Sequence, residues 1–232
     1  MRAALRTSGP VALTEALLAN VAVVIPVGPG DRSWRGLLEQ LDRLAPGLTR
    51  RLVFSHGDLQ GRPRDPAIAW TESSRGRARQ QNAGAAALDQ RWLWFLHADS
   101  RLTPATLDAL RAFIERDEDA LGYFDLHFAN DGPLLMRLNE WGVRARCRLA
   151  TLPFGDQGLI VRRTRFYELG AFDEARPFGE DHALVREARR AGLPIRRIPA
   201  PIYTSARKYA TQGWFATTWK HQRLTWQQWR EG

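Results

Sequence analysis

Two groups of acidic residues lie where their carboxylates could do chemistry. Asp99 directly follows a predicted strand over residues 92–96, with His97 two positions before it. A carboxylate there can hold Mg²⁺ or Mn²⁺ beside a diphosphate, because hard cations take oxygen ligands. Glu180 and Asp181 begin a predicted helix, where one of them could remove the proton of an acceptor hydroxyl. Both groups also have a structural interpretation: a turn before the next helix for Asp99, and a favourable helix dipole for the pair.

Two further clusters combine polar side chains with turn-forming residues. The first surrounds the start of a predicted helix and consists of Arg75, Arg77, Gln80 and Asn82. Guanidinium and amide groups beside a helix N-terminus form a phosphate or base-edge site, although a solvated basic turn has the same composition. The second cluster is Gly-Asp-Gln-Gly at 155–158. Its glycines indicate a backbone that approaches a ligand or bends sharply, and a plain turn would look identical.

The elements that must position these residues alternate along the first half of the chain. Strands are predicted at 21–27, 51–55, 67–70 and 92–96, and helices through 37–44, over 76–88 and from 103 onward. This alternation predicts an α/β fold with a mainly parallel, Rossmann-like sheet flanked by helices. In such sheets, ligands bind outside the carboxyl ends of the strands, where polar residues carry most weight.

The second half of the chain is less regular. Its alternating segment 121–128 predicts an antiparallel strand, and short strands are expected at 158–161 and 195–198. Helical segments are expected at 134–148, 163–169, 180–191 and 208–230. With no linker or repeat visible, we predict one domain over 21–207, preceded by an extension (1–20) and followed by a C-terminal segment (208–232).

Composition limits the class of protein. The 232 residues are 44% hydrophobic and include one cysteine, which excludes an internal disulfide and a cysteine-based zinc site. The first twenty residues lack the apolar run of a signal peptide, and no stretch reaches the ~20 apolar residues of a membrane-spanning helix. We therefore expect a cytoplasmic protein. The net charge of +9 favours an anionic partner, such as a membrane surface, nucleic acid or a phosphorylated small molecule.

The order of the motifs carries more information than any one of them. The succession is VAVVIPV, HGD, RGRARQQNAGAA, WLWFLHADS, PFGDQG and GEDHALVREARRAG. It resembles the family-2 glycosyltransferases of GT-A fold, and more closely a small bacterial branch of them (selenodomain-associated transferase-like) with HAD(S/T), GDQG and ED motifs. The resemblance extends from about residue 21 to residue 207. It implies a transferase that uses a nucleotide-diphosphate sugar.

The resemblance also implies roles for individual residues on the donor side. Asp58 is expected to contact the base or ribose, and the helix that carries Arg77 and Asn82 is expected to flank the nucleotide. The full set of residues that the resemblance assigns to the nucleotide sugar is Pro26, Asp58, Arg77, Asn82, Asp99 and Arg207. Asp99 matches the last aspartate of the family's DxD motif, which holds a divalent cation, Mg²⁺ or Mn²⁺, on the diphosphate. His97 replaces the first aspartate of that motif, so either the cation binds less tightly or His97 itself coordinates it.

On the acceptor side, the resemblance places a catalytic base in the ED motif. Asp181 matches the residue that deprotonates the acceptor in inverting members, with Glu180 beside it. Asp156 and Gln157 are expected at the acceptor side of the sugar. His182 is expected on the helix surface. The acceptor, a hydroxyl or phosphate group, is not identified, and a UDP-sugar is the first donor to consider because it is the commonest case in the family.

Three alternatives remain open at this stage. A degenerate family member would bind nucleotide without transferring sugar, and His97 keeps this alternative alive. A nucleic-acid-binding protein is not expected, because no helix-turn-helix, RNP or zinc-finger pattern is present. A nucleotidyltransferase is disfavoured by the poor match of IPVGPGDRS to a phosphate-binding loop. The basic, tryptophan-rich segment 208–232 either packs on the domain or lies at the inner face of the cell membrane, where a lipid-linked acceptor would be found.

Overall fold

The computed structural model describes residues 16–58, 61–129, 142, 143, 147, 152–176 and 178–205. Seven strands form one sheet: β1 Val21–Pro26, β2 Thr49–Ser55, β3 Trp70–Ser73, β4 Trp92–Phe95, β5 Leu121–Phe128, β6 Ile160–Arg162 and β7 Ile195–Thr204. Their order in space is β3-β2-β1-β4-β6-β5-β7. β6 runs antiparallel to β4 and β5, whereas every other neighbouring pair is parallel. The predicted α/β class with a mainly parallel sheet is confirmed.

Five helices are described beside the sheet: α1 Trp34–Leu44, α2 Arg77–Ala86, α3 Pro104–Glu115, α4 Arg163–Glu168 and α5 Glu180–Arg190. The helix α3 begins at a Thr103 capping box with Pro104 in its first turn, which satisfies backbone amides that the helix itself leaves unpaired. The start of α5 follows Gly179, whose φ of +75° is a conformation that glycine adopts without strain.

The sheet is buried on both faces. Alternate residues of β1 enter different clusters, so that Val21 and Val23 pack with α1 and α3 while Ala22 and Val24 pack with α2 and α5. This two-sided burial explains why β1 is a continuous apolar run rather than an alternating one. The small-residue face of α2 lets that helix approach closely, because a Cβ at Gly84 would lie 2.5 Å from Val24 Cγ1.

Several predicted elements differ from the structure. The third strand is 70–73 rather than 67–70, and the last strand continues to Thr204. The strand 121–128 was expected to be antiparallel. Eight of its residues pair in parallel with β7, and its antiparallel pairing with β6 is limited to one residue pair, Gly122 with Ile160. An alternating pattern fixes which face is buried and does not fix strand direction, which explains this error.

Two predicted helices lie mostly or entirely outside the described residues. Of the segment 134–148, only 142, 143 and 147 are described, and they are helical. The segment 208–230 is not described. Of the N-terminal extension, residues 16–20 are described, and 16–18 are helical. Within the described part of the chain, no helix has the length and apolar character needed to cross a membrane.

Candidate functional site

A cavity of about 640 Å³ opens at the carboxyl ends of the strands, and we call it the strand-end cavity. The ends of β1, β2, β4 and β7 and the beginning of α2 surround it. Its lining comprises Pro26, Gly28, Pro29, Asp31, Ser33, Ser55, Arg75, Gly76, Arg77, Gln80, His97, Ala98, Asp99 and Ser205. The order of the strands reverses between β1 and β4, so the cavity occupies the crevice where doubly wound sheets bind ligands.

Four of the residues predicted for the donor side line this cavity: Pro26, Arg77, His97 and Asp99. The turn that carries His97 and Asp99 is fixed to the last strand of the sheet. Arg101 exchanges two backbone hydrogen bonds with Tyr203, and the Thr204 hydroxyl donates to Asp99 Oδ2 at 3.0 Å. Thr204 was missed in the sequence, because nothing in the pattern of β7 indicates which strand end faces Asp99.

The donor set for a divalent cation is small. Among the described residues, no group of three His, Cys, Asp or Glu side chains is close enough to hold a metal ion. Asp99 and His97 both line the cavity and offer a carboxylate oxygen and an imidazole nitrogen. These two donors fit a cation that takes its remaining ligands from a diphosphate and from water, as Mg²⁺ usually does.

The ED motif lies beside the same cavity. Glu180 is buried, and its Oε1 lies 3.5 Å from Nη1 of Arg77, which is half-exposed and lines the cavity. Burial, followed by the neighbouring charge of Asp181, raises the pKa of Glu180 above its ordinary value, and Arg77 opposes the shift. The pair therefore connects the first turn of α5 with the first turn of α2.

Asp181 has a different environment from its neighbour. Its Oδ2 accepts a hydrogen bond from the Gly155 amide at 2.6 Å, and its Oδ1 accepts one from the His182 amide at 2.8 Å. Burial acts to raise the pKa of Asp181. The charge of His182 and the Gly155 amide act in the opposite direction, and Arg77 adds to them, so that the pKa lies below its ordinary value.

Gly155 brings this carboxylate close to His97. A Cβ placed on Gly155 would lie 3.1 Å from Asp181 Oδ2 and 3.3 Å from His97 Nε2. Both side chains therefore approach the same Cα from the two elements that carry them. The ED and HAD motifs, 84 positions apart in the sequence from His97 to Asp181, meet at the GDQG turn.

Three other predicted site residues have structural partners instead. Asn82 binds the Phe172 backbone through both amide atoms, at 2.9 and 3.1 Å, and does not line the strand-end cavity. Gln157 is 2% exposed and donates to the Phe124 carbonyl at 3.0 Å, so it faces the interior rather than a sugar. Asp58 accepts hydrogen bonds from the Gly30 amide at 3.2 Å and the Gly61 amide at 3.4 Å.

The expected ligand contacts of these three residues stay predictions. Each of the three side chains hydrogen-bonds backbone groups of the protein, and the residue type in a motif does not distinguish this role from ligand binding. Asp156 is partly buried in the GDQG turn and does not line the strand-end cavity. His182 was expected on the surface, but it is buried, and its ring centroid lies 3.8 Å from that of Phe154. Arg207 lies outside the described residues.

Two further polar residues line the strand-end cavity, Gln80 and Ser55. Gln80, named in the sequence as part of the basic cluster, is buried and donates to the Val27 and Val53 carbonyls, both at 2.8 Å. It therefore holds the ends of β1 and β2 at a fixed separation. Ser55 was missed. Its hydroxyl is buried at the cavity wall and has no hydrogen-bond partner among the described residues.

Comparison with known proteins gives the family. The model of the family described as "Glycosyl transferase family 2" matches residues 57–172, which is half of the chain. Two structures of S. aureus TarS 1-349 are similar at 16% identity over 80% of this chain. The one in complex with UDP-GlcNAc has a TM-score of 0.57 and is covered over 58% of its length; the other has a TM-score of 0.56 and is covered over 60%.

At this identity the likeness shows the fold, which is GT-A. The chain spans less than two thirds of the length of the TarS structures. No curated protein gives a significant match. Together, the family match, the GT-A sheet and a strand-end cavity lined by the predicted HAD turn identify the chain as a member of glycosyl transferase family 2.

Proposed function

We propose that this protein is a metal-dependent inverting glycosyltransferase, with a nucleotide-diphosphate sugar in the strand-end cavity and Asp181 as the general base. One observation carries the proposal: Asp181 Oδ2 and His97 Nε2 approach the same Cα, that of Gly155. A base at the cavity edge can reach an acceptor hydroxyl while the donor occupies the cavity. The GT-A fold and the family are consistent with this chemistry.

The cavity has the charges that a sugar diphosphate requires. Arg75 and Arg77 line it at the beginning of α2, and within the described ranges neither has a carboxylate contact shorter than the 3.5 Å pair of Arg77 with Glu180. Guanidinium groups bind phosphate oxygens in bidentate fashion, and the helix N-terminus adds positive potential. The TarS structure that contains UDP-GlcNAc supports a nucleotide-sugar donor, and UDP is the first nucleotide to test.

Asp99 and His97 are the residues that would hold a divalent cation, Mg²⁺ or Mn²⁺. When bound, the cation would neutralise charge that develops on the departing diphosphate. The Thr204 hydroxyl fixes Asp99 Oδ2, so it orients the carboxylate in the cavity. Such an outer contact limits the freedom of a ligand residue and strengthens its binding.

The chain's own residues supply the proton transfer. Asp181 takes the proton of the acceptor hydroxyl as its oxygen bonds to the anomeric carbon. The bond from that carbon to the diphosphate oxygen breaks, the nucleoside diphosphate leaves, and the single displacement inverts the anomeric centre. The lowered pKa of Asp181 keeps its carboxylate charged near neutral pH, which is the state that a base requires.

The acceptor remains a proposal of class only. A lipid-linked hydroxyl or phosphate at the inner face of the cell membrane is consistent with the basic, tryptophan-rich composition of 208–232. In this proposal the protein is cytoplasmic, and the segment 208–232 contacts the membrane surface.

A second candidate is a nucleotide-binding protein that does not transfer sugar. The observation that favours it is the small donor set, with His97 in place of an aspartate and no three-residue metal group within the described ranges. Both candidates bind nucleotide. Only the first releases nucleoside diphosphate from a sugar donor, in a reaction that depends on Asp181.

A thermal-shift panel tests donor binding first. UDP, GDP, CDP and dTDP are added with and without Mn²⁺, and a ligand at about 100 times its Kd stabilises the protein by about 2.7 kcal/mol. We expect one nucleotide to stabilise the protein only when Mn²⁺ is present, and we expect Asp99→Ala to abolish that stabilisation. Asp89→Ala, at a fully exposed carboxylate, is the matched control. No shift with any nucleotide would contradict the proposal.

Release of nucleoside diphosphate from the matching sugar donor then tests catalysis. We expect Asp181→Asn to lower the rate by 10²-fold or more, the usual contribution of a general base, while the nucleotide thermal shift persists. Asp89→Asn should keep the wild-type rate. An unchanged rate in Asp181→Asn would exclude Asp181 as the base. A wild-type protein that binds nucleotide and releases none from any sugar donor would favour the second candidate.

A further inference from the structure

A second cavity, of about 810 Å³, lies between α1 and the loop that joins β2 to β3, and we call it the side cavity. It shares no lining residue with the strand-end cavity. The two cavities have a common wall. Asp31 and Ser33 line the strand-end cavity, whereas the intervening Arg32 and the following Trp34 line the side cavity. The proposed transfer reaction assigns no role to this second space.

The floor of the side cavity is aromatic. Trp34 and Trp70 line it, and both contact Phe54 edge to face, with ring centroids 6.2 and 6.1 Å apart. Trp34 is 3% exposed, and its indole N–H has no acceptor among the described residues. Trp34 is therefore buried beneath the cavity floor, where its indole N–H can report on ligand binding.

Four guanidinium groups line the side cavity. Arg62 is fixed there by an ion pair with Glu72 and by stacking 4.8 Å from the Trp70 centroid. Arg32, Arg35 and Arg64 also line the cavity. Within the described residues, these three have no carboxylate at ion-pair distance, so their charges are available to a ligand.

Two of these arginines lie at the beginning of α1, where the Asp31 carboxylate accepts a hydrogen bond from the Ser33 amide at 2.7 Å. Arg32 and Arg35 flank the N-terminus of α1, whose first turn contains no acidic residue and whose Ser33 makes no side-chain capping bond. The positive end of the helix dipole repels cations and attracts anions. An anion bound at this end would therefore interact with the helix N-terminus as well as the guanidinium groups.

The side cavity also offers hydrogen-bond acceptors. Glu39 and Asp42 line it farther along α1, and Asp42 also pairs with Arg50 at 2.6 Å. We propose that the side cavity binds an anionic saccharide, a sugar unit that carries a phosphate or carboxylate group. The anionic group binds the guanidinium groups, the C–H face of the ring packs on the accessible part of Trp70, and the hydroxyl groups donate to the carboxylates.

Indole NMR on the full chain tests this site directly. The ¹⁵N–¹H indole resonance of Trp34, assigned with Trp34→Phe, is followed during titration with glucose 6-phosphate, glucuronate, glucose or inorganic phosphate at constant ionic strength. We expect saturable shifts with both anionic sugars, and at least tenfold weaker binding of glucose and phosphate. The glucose 6-phosphate and glucuronate arms distinguish which anionic group the site prefers.

Matched variants separate the site from general charge effects. Arg35→Gln and Arg64→Gln, which change opposite walls, should each weaken glucose 6-phosphate about tenfold. Arg43→Gln makes the same charge change on an exposed residue of α1 outside the cavity and should leave affinity unchanged. Asp99→Ala should also leave it unchanged, because Asp99 belongs to the strand-end cavity.

Three results would overturn the proposal. The first is the absence of a saturable shift of the Trp34 indole with either anionic sugar. The second is equal weakening by Arg35→Gln and Arg43→Gln, which would show an attraction to net charge alone. The third is phosphate binding as tight as glucose 6-phosphate binding, which would show an adventitious ion only. Failure of sugar transfer in the catalytic assay would not affect these outcomes.

Discussion

A single methyl group at Gly155 tests whether the GDQG turn holds the reacting groups in place. Gly155 does not have a positive φ, so its backbone accepts alanine without strain. The added Cβ would lie 3.1 Å from Asp181 Oδ2 and 3.3 Å from His97 Nε2. Both distances are shorter than the ordinary contact of roughly 3.5–4.0 Å between non-bonded heavy atoms. Each side chain must therefore move by a few tenths of an ångström.

The size of this displacement sets the expected effect. Misplacement of a reacting group by 1 Å can cost about 10²-fold in rate, so a few tenths should lower kcat about three- to tenfold. Nucleotide affinity should change little, because the three nearest described atoms to the new methyl group belong to Asp181 and His97, and of these two residues His97 alone lines the strand-end cavity. Overpacking should also lower the free energy of unfolding by about 1 kcal/mol.

Steady-state release of nucleoside diphosphate measures kcat, and a nucleotide titration measures affinity. Gly28→Ala is the matched control, because Gly28 lines the same cavity and a Cβ there would meet no atom within 4 Å. A kcat for Gly155→Ala equal to that of Gly28→Ala would refute the placement of Asp181 at the reacting centre. Equal losses in kcat and nucleotide affinity would refute it too, since they indicate damage to the donor site.

Three further predictions concern single side chains. The pKa of Glu180 is raised above 4.5 in the folded state, so the folded protein binds this proton more tightly than the unfolded chain and its stability falls as pH rises. In denaturant unfolding, Glu180→Gln should therefore gain stability relative to the wild type from pH 4 to 7. A difference between the two proteins that does not change with pH would contradict this. In the same assay, Gly84→Ala should lower the free energy of unfolding by about 1–3 kcal/mol, because the added Cβ overpacks against Val24. Gly47→Ala adds a Cβ in open space and should change the free energy of unfolding little. Equal losses in the two variants would contradict the close contact of α2 with the sheet. Ser55→Ala should keep stability but weaken nucleotide binding about fivefold, through loss of one hydrogen bond, and unchanged affinity in a titration would exclude that bond.

The position of the strand-end cavity could be predicted from the sequence because strand ends mark it. A buried strand followed by polar residues identifies the carboxyl edge of a parallel sheet, and His97 and Asp99 accordingly line the cavity. This inference uses only local order along the chain, which the alternation of strands and helices preserves.

The supporting contacts could not be predicted, because they depend on partners distant in the sequence. Gln157 binds the carbonyl of Phe124, 33 positions away, and Asn82 binds the backbone of Phe172, 90 positions away. In a motif, a residue that holds a turn has the same identity as one that touches a ligand. His182 illustrates the same limit, since its burial depends on Phe154 from another element.

The two adjacent carboxylates of the ED motif have opposite environments, and this difference separates their roles. Glu180 is buried, its pKa is raised, and its Oε1 lies 3.5 Å from Nη1 of Arg77, so it can anchor a guanidinium that lines the strand-end cavity. Asp181 accepts two amide hydrogen bonds, and its pKa is lowered. Titratable groups whose pKa values are pushed apart in this way usually divide their roles in catalysis. The proposed mechanism therefore needs the order of the pair as well as its charge: exchanging the two residues would place the shorter side chain toward Arg77 and the longer one toward Gly155, where Asp181 already lies within 2.6 Å of the amide.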